Sequence, residues 1–307
     1  MPSLLAALRQ RPVLAAVIGA LTIAFSATFV KLADVSPATA AFFRCAYALP
    51  PLAALAWYER RRFGPRAQGQ MRLAWVAGVF FAVDLVLWHH TIELVGAGLA
   101  TVLGNTQVVI VALAAWVLLG ERPGNRIAIS VPVVLVGVVL ISGVIGEGAF
   151  GRDPGLGVLL GLGTGAAYAG FLLVQRRANA DHRRPAGPLF DATLSAAIAA
   201  LVIGLPLGQI DLVPSWPAHG WLLLLGLLVQ VVGWLIISIS LPRLPAAVTS
   251  VVLTIQPVGS VMLGIWFLAE APSGFQLVGV GMIVAGLLIT TLRVRPHRWR
   301  RAQPEVG

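Results

Sequence analysis

Ten predominantly apolar runs, each long enough to cross a bilayer as a helix, follow one another along this 307-residue chain. They lie near 13–33, 38–58, 73–92, 96–119, 127–145, 155–175, 189–209, 220–241, 246–268 and 275–293. Helix breakers stand in the gaps: Pro37, Gly64-Pro65, Pro123-Gly124, Pro154-Gly155, Pro185, Pro214, Pro217, Pro245 and Pro272. No connection is long enough to hold a soluble domain. A soluble protein of this size needs about a quarter of its residues charged to cover its surface. Here 11% are charged and 58% hydrophobic, with a mean hydropathy of +0.88. The outside of the molecule must therefore face lipid, and the expected fold is an all-α bundle of ten transmembrane helices.

A pI of about 11.4 suggests nucleic acid as a partner, but the charge pattern points elsewhere. Of 22 basic residues only Lys31 is lysine, and the arginines cluster in short loops beside apolar spans. Such loops report orientation in a membrane. With ten spans and a cytoplasmic N-terminus, 19 of the 22 fall on the cytoplasmic side. They are Arg9, Arg11, Arg60, Arg61, Arg62, Arg66, Arg72, Arg122, Arg126, Arg176, Arg177, Arg183, Arg184, Arg243 and the five arginines between 293 and 301. The opposite side keeps Lys31 and Arg152, and Arg44 lies inside span two. A missed or invented helix would invert every later loop and destroy this asymmetry. Both termini are thus expected to be cytoplasmic in a plasma-membrane protein. The first apolar stretch has the length of a span and no small-residue cleavage site follows it, so no cleavable signal peptide is expected. Cys45, the single cysteine, cannot form an intrachain disulfide or a zinc site alone.

The chain also repeats itself. Gln256 follows Gln107 by 149 residues, and Glu270 follows Glu121 by the same 149. Ala97 and Ala246, Pro123 and Pro272, and Gly137 and Gly286 keep that spacing. Five spans per half is an odd number, so the halves enter the membrane from opposite sides, as an inverted repeat. Such repeats hold substrate near the midplane where the halves meet. Spans three, four, eight and nine are expected to border that region.

Several of these residues carry a family resemblance. They are Phe25 to Lys31 at the end of span one, Pro37 and Arg44, and Glu121-Arg122-Pro123 with Gly137 beyond. Gln256-Pro257 and then Glu270 stand in the second half. In this order and spacing the chain resembles the EamA family of the drug/metabolite transporter superfamily, as two five-helix repeats over 13–145 and 155–293, with a basic cytoplasmic tail over 294–307. The resemblance implies a secondary carrier that works by alternating access and often exports small metabolites. It does not fix a substrate. One departure is that span nine carries Pro257 at mid-helix while span four has Val108, so the first-half helix is expected to be the straighter.

Ionisable residues inside hydrocarbon are costly and mark pathways. Asp84 lies near the middle of span three, and Trp88 and Thr91 share its face at helical spacing. A carboxylate above an indole can bind a cationic group or carry a proton; it can equally be a structural partner of Arg44. Arg44, with Tyr47 one turn further in, recognises a substrate carboxylate or phosphate, neutralises Asp84, or hydrogen-bonds helix ends near Pro37. Gln107 and Gln256 are repeat-related amides near the centres of their spans, serving as pathway lining or as glue between helices. Thr249, Leu253, Gln256 and Ser260 form one stripe of span nine, and Gln230 and Tyr168 join the same midplane set. Gly157, Gly161 and Gly165 form a small-residue face on span six, read as packing. Glu121 and Glu270, beside prolines at span ends, are read as bonding helix ends, and His89 and His90 as interfacial hydrogen-bonding groups.

The lone lysine, Lys31, is not in a phosphate-binding Gly-x-x-x-x-Gly-Lys loop, so ATP-driven transport is not expected. The reading is a non-enzymatic secondary transporter, an exporter, of a small polar or amphipathic metabolite. The partners expected are that solute, the lipid bilayer and, as options left open, a coupling proton and a second copy in a homodimer. No cofactor, metal or nucleic acid is expected. A membrane-embedded enzyme acting on a lipid or small metabolite is the alternative. Its only candidate cluster, His89, His90 and Glu93, lacks a nucleophile and a metal-binding spacing.

Overall fold

The structure, a computed structural model, describes residues 10–141, 153–268 and 273–291. Among these, nine apolar helices have the length of a membrane span: Pro12–Ala33, Pro37–Phe63, Gln68–Val95, Ala100–Leu119, Gly155–Ala178, Ala186–Gly204, Trp216–Arg243, Ala246–Leu263 and Gly274–Thr291. A shorter apolar helix, Asn125–Leu140, takes the fifth place and completes ten. Below they are spans one to ten in chain order. Arg152, Glu270, Pro272 and the tail 294–307 lie outside the described residues.

Prolines in the first turn open spans one, two and six, where a missing N–H costs nothing. The Asp153 carboxylate also accepts from the Leu156 N–H at 3.0 Å at the start of span six. Spans three and four follow one another as Gln68–Val95 and Ala100–Leu119, with the chain turning between them close to the expected interruption although helical backbone continues from Gln68 to Asn105. This helix is nevertheless not straight. Trp88 and Gly104 would stand about 24 Å apart along a straight axis, yet a Cβ on Gly104 would lie 3.8 Å from the Trp88 ring. The backbone therefore doubles back between them as a tight helical hairpin. Outward-facing Val117, Leu118, Val202 and Trp266 give the bundle the apolar exterior that lipid requires.

Packing follows the exchange of halves. Span one lies against eight and nine, and span six against three and four; two packs on seven, and five on ten. The five–ten contact shows the pseudo-two-fold directly. A Cβ on Gly137 would meet the Gly279 carbonyl and Ile283 Cγ1, both at 2.9 Å. A Cβ on Gly286 would meet the Ser130 carbonyl at 3.3 Å and the Val134 side chain. Each of these four partners and its counterpart are 149 residues apart, so the same patch meets itself, as a two-fold contact must. Thr290 Oγ1 donates to Ser130 Oγ at 2.7 Å across the same seam. The pairing repeats one residue out of register elsewhere. Gly78 approaches Ala192 and Ser195, and Gly226 approaches Arg44 and Tyr47, related by 148. On span six, Gly157, Gly161 and Gly165 seat Val95, Leu103 and Thr106, which makes them packing residues.

The expectation of a straighter span four is corrected. Both spans four and nine break at a threonine, Thr106 and Thr254. Each hydroxyl donates to the carbonyl three residues back, Thr106 to Leu103 at 2.5 Å and Thr254 to Val251 at 2.6 Å. Such back-bonding bends span four without a proline, whereas in span nine Pro257 adds to the break by leaving the Leu253 carbonyl without its helical donor. Span eight differs from every other described span in a π-helical stretch from Leu225 to Gly233.

Candidate functional site

The π-helical stretch sets up the centre of the molecule. Its wide turns carry Gln230 to Arg44 of span two, while Gly226 lets the two backbones close up. Arg44 is 6% exposed. Its Nε donates to Gln230 Oε1 at 2.9 Å, and its Nη1 donates to Ser26 Oγ of span one at 3.3 Å. Gln230 Nε2 donates in turn to Thr193 Oγ1 of span seven at 3.1 Å, which fixes the amide with its oxygen towards the guanidinium. Four helices are joined by this chain of neutral acceptors around one charge. The guanidinium also sits over the Phe81 ring, 5.2 Å from its centroid.

Asp84 is 9% exposed on span three and lies in the electrostatic field of Arg44 and beside Tyr168. Among the described residues its carboxylate makes no hydrogen bond, so the two opposite charges share the centre without being bonded to each other. Aromatic rings wall them. Phe81 stacks on Phe171 at 4.7 Å between centroids, Trp234 meets Phe171 edge-on at 4.8 Å, and Tyr168 meets Trp234 at 6.3 Å. Phe81, Phe171, Trp234, Ser26 and Thr193 were not singled out in the sequence. Aromatic residues and small hydroxyls in an apolar span carry no signal that separates a core wall from a lipid-facing surface.

Other sequence candidates fall outside this centre. Trp88 stands at the hairpin between spans three and four, beside Gly104 and against the His89 ring. Gln107 donates to the Ser250 carbonyl at 3.3 Å, joining spans four and nine. Its repeat mate Gln256 is half-buried and has no partner among the described residues. Thr249 bonds its own helix at Pro245, and Ser260 donates to the Ala24 carbonyl of span one at 3.3 Å. The charged centre thus draws on spans one, two, three, six, seven and eight, while four and nine cross beside it. Tyr47 is engaged elsewhere, its hydroxyl 2.5 Å from His219 Nδ1. His89 Nδ1 donates to the Leu85 carbonyl at 2.7 Å, and His90 lies 3.4 Å from Glu93. Among the described residues no three His, Cys, Asp or Glu side chains gather as a metal site.

The arginine-bearing end is closed by ionised groups. Glu59 accepts from the N–H groups of Ala186 and Gly187, at 3.0 and 2.8 Å, at the start of span seven. Arg66 pairs with Asp191 at 2.5 Å. Arg184 donates to the carbonyls of Phe63, Gly64 and Pro65. Glu121 accepts from the Ala246 N–H at 3.0 Å and pairs with Arg176 at 2.8 Å, which matches its reading as a helix-end group.

Two inverted five-helix halves around a buried charge pair find their match among carriers. The EamA-like transporter family matches residues 10–143 and again 155–292. The chain belongs to this family. It is 28% identical to the threonine/homoserine exporter RhtA of Escherichia coli K12 over 230 residues, covering 71% of each chain. It is 24% identical to the uncharacterized transporter YwfM of Bacillus subtilis, over 75% of this chain and 76% of that one. A solved crystal structure superposes with a TM-score of 0.74 over 92% of this chain and 98% of the other. At 18% identity that likeness concerns the fold alone. The protein is therefore a multi-pass membrane transporter of the EamA-like family.

Proposed function

We propose that this transporter is a secondary active exporter of a small zwitterionic metabolite of the amino-acid class, working by alternating access around Arg44 and Asp84. The observation that carries this reading is the pair of buried opposite charges left unbonded to each other. Arg44 is held only by neutral groups and keeps guanidinium edge to spare for a carboxylate, which it recognises in two-pronged geometry. Asp84, in reach of the same field, offers a carboxylate to an ammonium group. The aromatic wall gives the solute an apolar side and excludes water. The threonine/homoserine exporters that the chain resembles carry solutes of this charge pattern. When the solute leaves, Asp84 is the group on which a proton or a second solute can balance the charge, which accommodates both proton antiport and exchange. The arginine-rich end is assigned to the cytoplasm of a plasma membrane, with both termini there, because 19 of 22 basic residues fall on that side.

Asp84→Asn keeps the shape of the side chain and removes its charge. In proteoliposomes loaded with radiolabelled threonine or homoserine, the variant should fold normally, lose at least about tenfold in efflux, consistent with the loss of a desolvated charge contact, and lose its pH dependence. Unchanged efflux with an unchanged pH profile excludes Asp84 from the site. A fall in thermal stability rescued by Arg44→Gln, with transport intact, assigns the pair to structure alone.

A further inference from the structure

Below the charged centre, towards the arginine-rich end, side chains of spans six and eight meet, and the seam between them holds polar groups that have no partner among the described residues. On span six, Tyr168, Phe171, Gln175 and Asn179 fall on one face at helical spacing. On span eight, Gln230, Trp234 and Ser238 do the same. The two faces meet. Trp234 packs on both Tyr168 and Phe171, and further along Arg176 Nε donates to the Leu241 carbonyl at 3.3 Å, so the register holds along the seam. Gln175 thus lies one turn beyond Phe171 and Ser238 one turn beyond Trp234. None of Gln175, Asn179, Trp234 and Ser238 is more than 1% exposed. Yet both amide atoms of Gln175, both of Asn179, the Trp234 Nε1 and the Ser238 hydroxyl lack a hydrogen-bond partner among the described residues.

Other buried polar atoms without partners, such as His89 Nε2, Gln107 Oε1 and Gln209 Oε1, occur one to a residue, and those of Arg66 and Arg184 belong to guanidinium groups already bonded through their other nitrogens. Buried polar groups in proteins are satisfied almost without exception, by protein or by ordered water, and in a membrane interior the penalty for leaving them bare is larger. Four such residues in a row, leading from the aromatic wall to the end of span six, do not fit a packing defect. Where the row ends, Arg243 donates to the His182 carbonyl at 3.1 Å and Arg176 lies alongside, so the mouth is basic.

We propose that the seam between spans six and eight is the closed form of a polar conduit joining the central site to the arginine-rich side, which opens during turnover to take up water and the polar solute. Gln175, Asn179 and Ser238 supply alternating donors and acceptors along it, with the Trp234 N–H at its inner end. The passage of solute rests on the carrier function proposed above; the hydration does not depend on which solute is carried.

The test uses the full-length protein with Cys45→Ala as background and single variants Gln175→Cys, Ser238→Cys and, as control, Leu172→Cys, a buried apolar position on span six. Each is reconstituted and exposed from the arginine-rich side to a small cationic methanethiosulfonate. Positions 175 and 238 are expected to react at least about tenfold faster than 172, as hydrated thiols do relative to buried ones. Reaction at 175 and 238 no faster than at 172 overturns the conduit. Loss of transport in the Asp84 variant with labelling at 175 and 238 intact would leave the conduit standing and bear only on the central site. If a cysteine variant fails to fold, Gln175→Leu serves in its place. The conduit predicts slower efflux by about tenfold in this variant, on the principle that its gating contacts act in the transport step, whereas a mere packing defect predicts unchanged efflux with higher thermal stability.

Discussion

The two ends of the bundle are related by the pseudo-two-fold, yet they are fastened by different chemistry. At the arginine-rich end the junction of spans two and seven uses ions: Glu59 on the start of span seven, Arg66 on Asp191, and Arg184 on three carbonyls at the end of span two. At the far end the same junction uses neutral groups. Ser36 Oγ and Thr39 Oγ1 both donate to the Gln209 carbonyl, and Thr39 Oγ1 accepts from the Asp211 N–H at 2.8 Å. Tyr47 and His219 complete that side. Charge-assisted bonds are about twice as strong as neutral ones, and breaking one leaves a charge that needs water. The ionic end therefore resists opening until water can enter, whereas the neutral end separates at a smaller and more even cost. A two-fold scaffold thus carries unequal fastenings at its two ends, charged at one and neutral at the other.

The comparison breaks most severely at Asp191. Arg66 and Asp191 have side chains only 15% and 8% exposed, so Asp191→Asn strands a guanidinium in a partly buried place. The expected loss is about 3 kcal/mol of stability, read as a lower unfolding midpoint of the purified protein. Replacing Arg66 and Asp191 together by leucine should recover most of it. No recovery would mean that the ions do more than fasten the helices.

A smaller effect is expected at the far end. Thr39→Val preserves the shape of a fully buried residue and leaves the Asp211 N–H without its acceptor. About 1 kcal/mol should be lost, again by thermal unfolding. A loss equal to that of Asp191→Asn would erase the difference between the ends.

The smallest effect concerns acid. Asp181, in the loop after span six, is held below the usual aspartate value, first by its hydrogen bond with Arg183 and then by the nearby arginine charges. A carboxyl whose folded value is depressed contributes stability that is present at neutral pH and is lost as pH falls below about 4. Because the pair is largely solvated, Asp181→Asn should remove only about 0.3 kcal/mol at neutral pH. It should also flatten the acid limb of the unfolding midpoint between about pH 5 and 3. A neutral-pH loss as large as that at Thr39 would show that this exposed pair fastens the arginine-rich end as strongly as buried contacts do.

How much of this was legible depends on how singular each residue is in its surroundings. An ionisable side chain in a run of Val, Leu and Ala stands out, so Arg44 and Asp84 were visible from the sequence. Gly137 and Gly286 were visible through the repeat, although only the structure shows that they meet across the two-fold. Gln230 is visible only as one more amide of the midplane set, and its role in holding Arg44 is not, because nothing in the sequence announces a π-helical turn. Thr106 is hidden for the opposite reason: threonines are common in spans and proline is the sequence mark of a break, whereas a hydroxyl turned onto its own backbone does the same work. Gln175 and Asn179 sit near the expected end of span six, where amides look solvated, and only their burial reveals their position.

The π-helical stretch of span eight has a mechanical meaning as well. A turn wound around i→i+5 bonds holds a surplus residue, and trading those bonds for i→i+4 partners returns it to ordinary helix. Such a trade lengthens the rod and twists whatever hangs below it, here Trp234 and Ser238. Span three, its mirror in the first half, is α-helical over its whole length and holds no such surplus. One strut of the pair is uniform α-helix and the other carries a spare residue, so only span eight has an internal exchange of bonds available between Gln230 and its lower part.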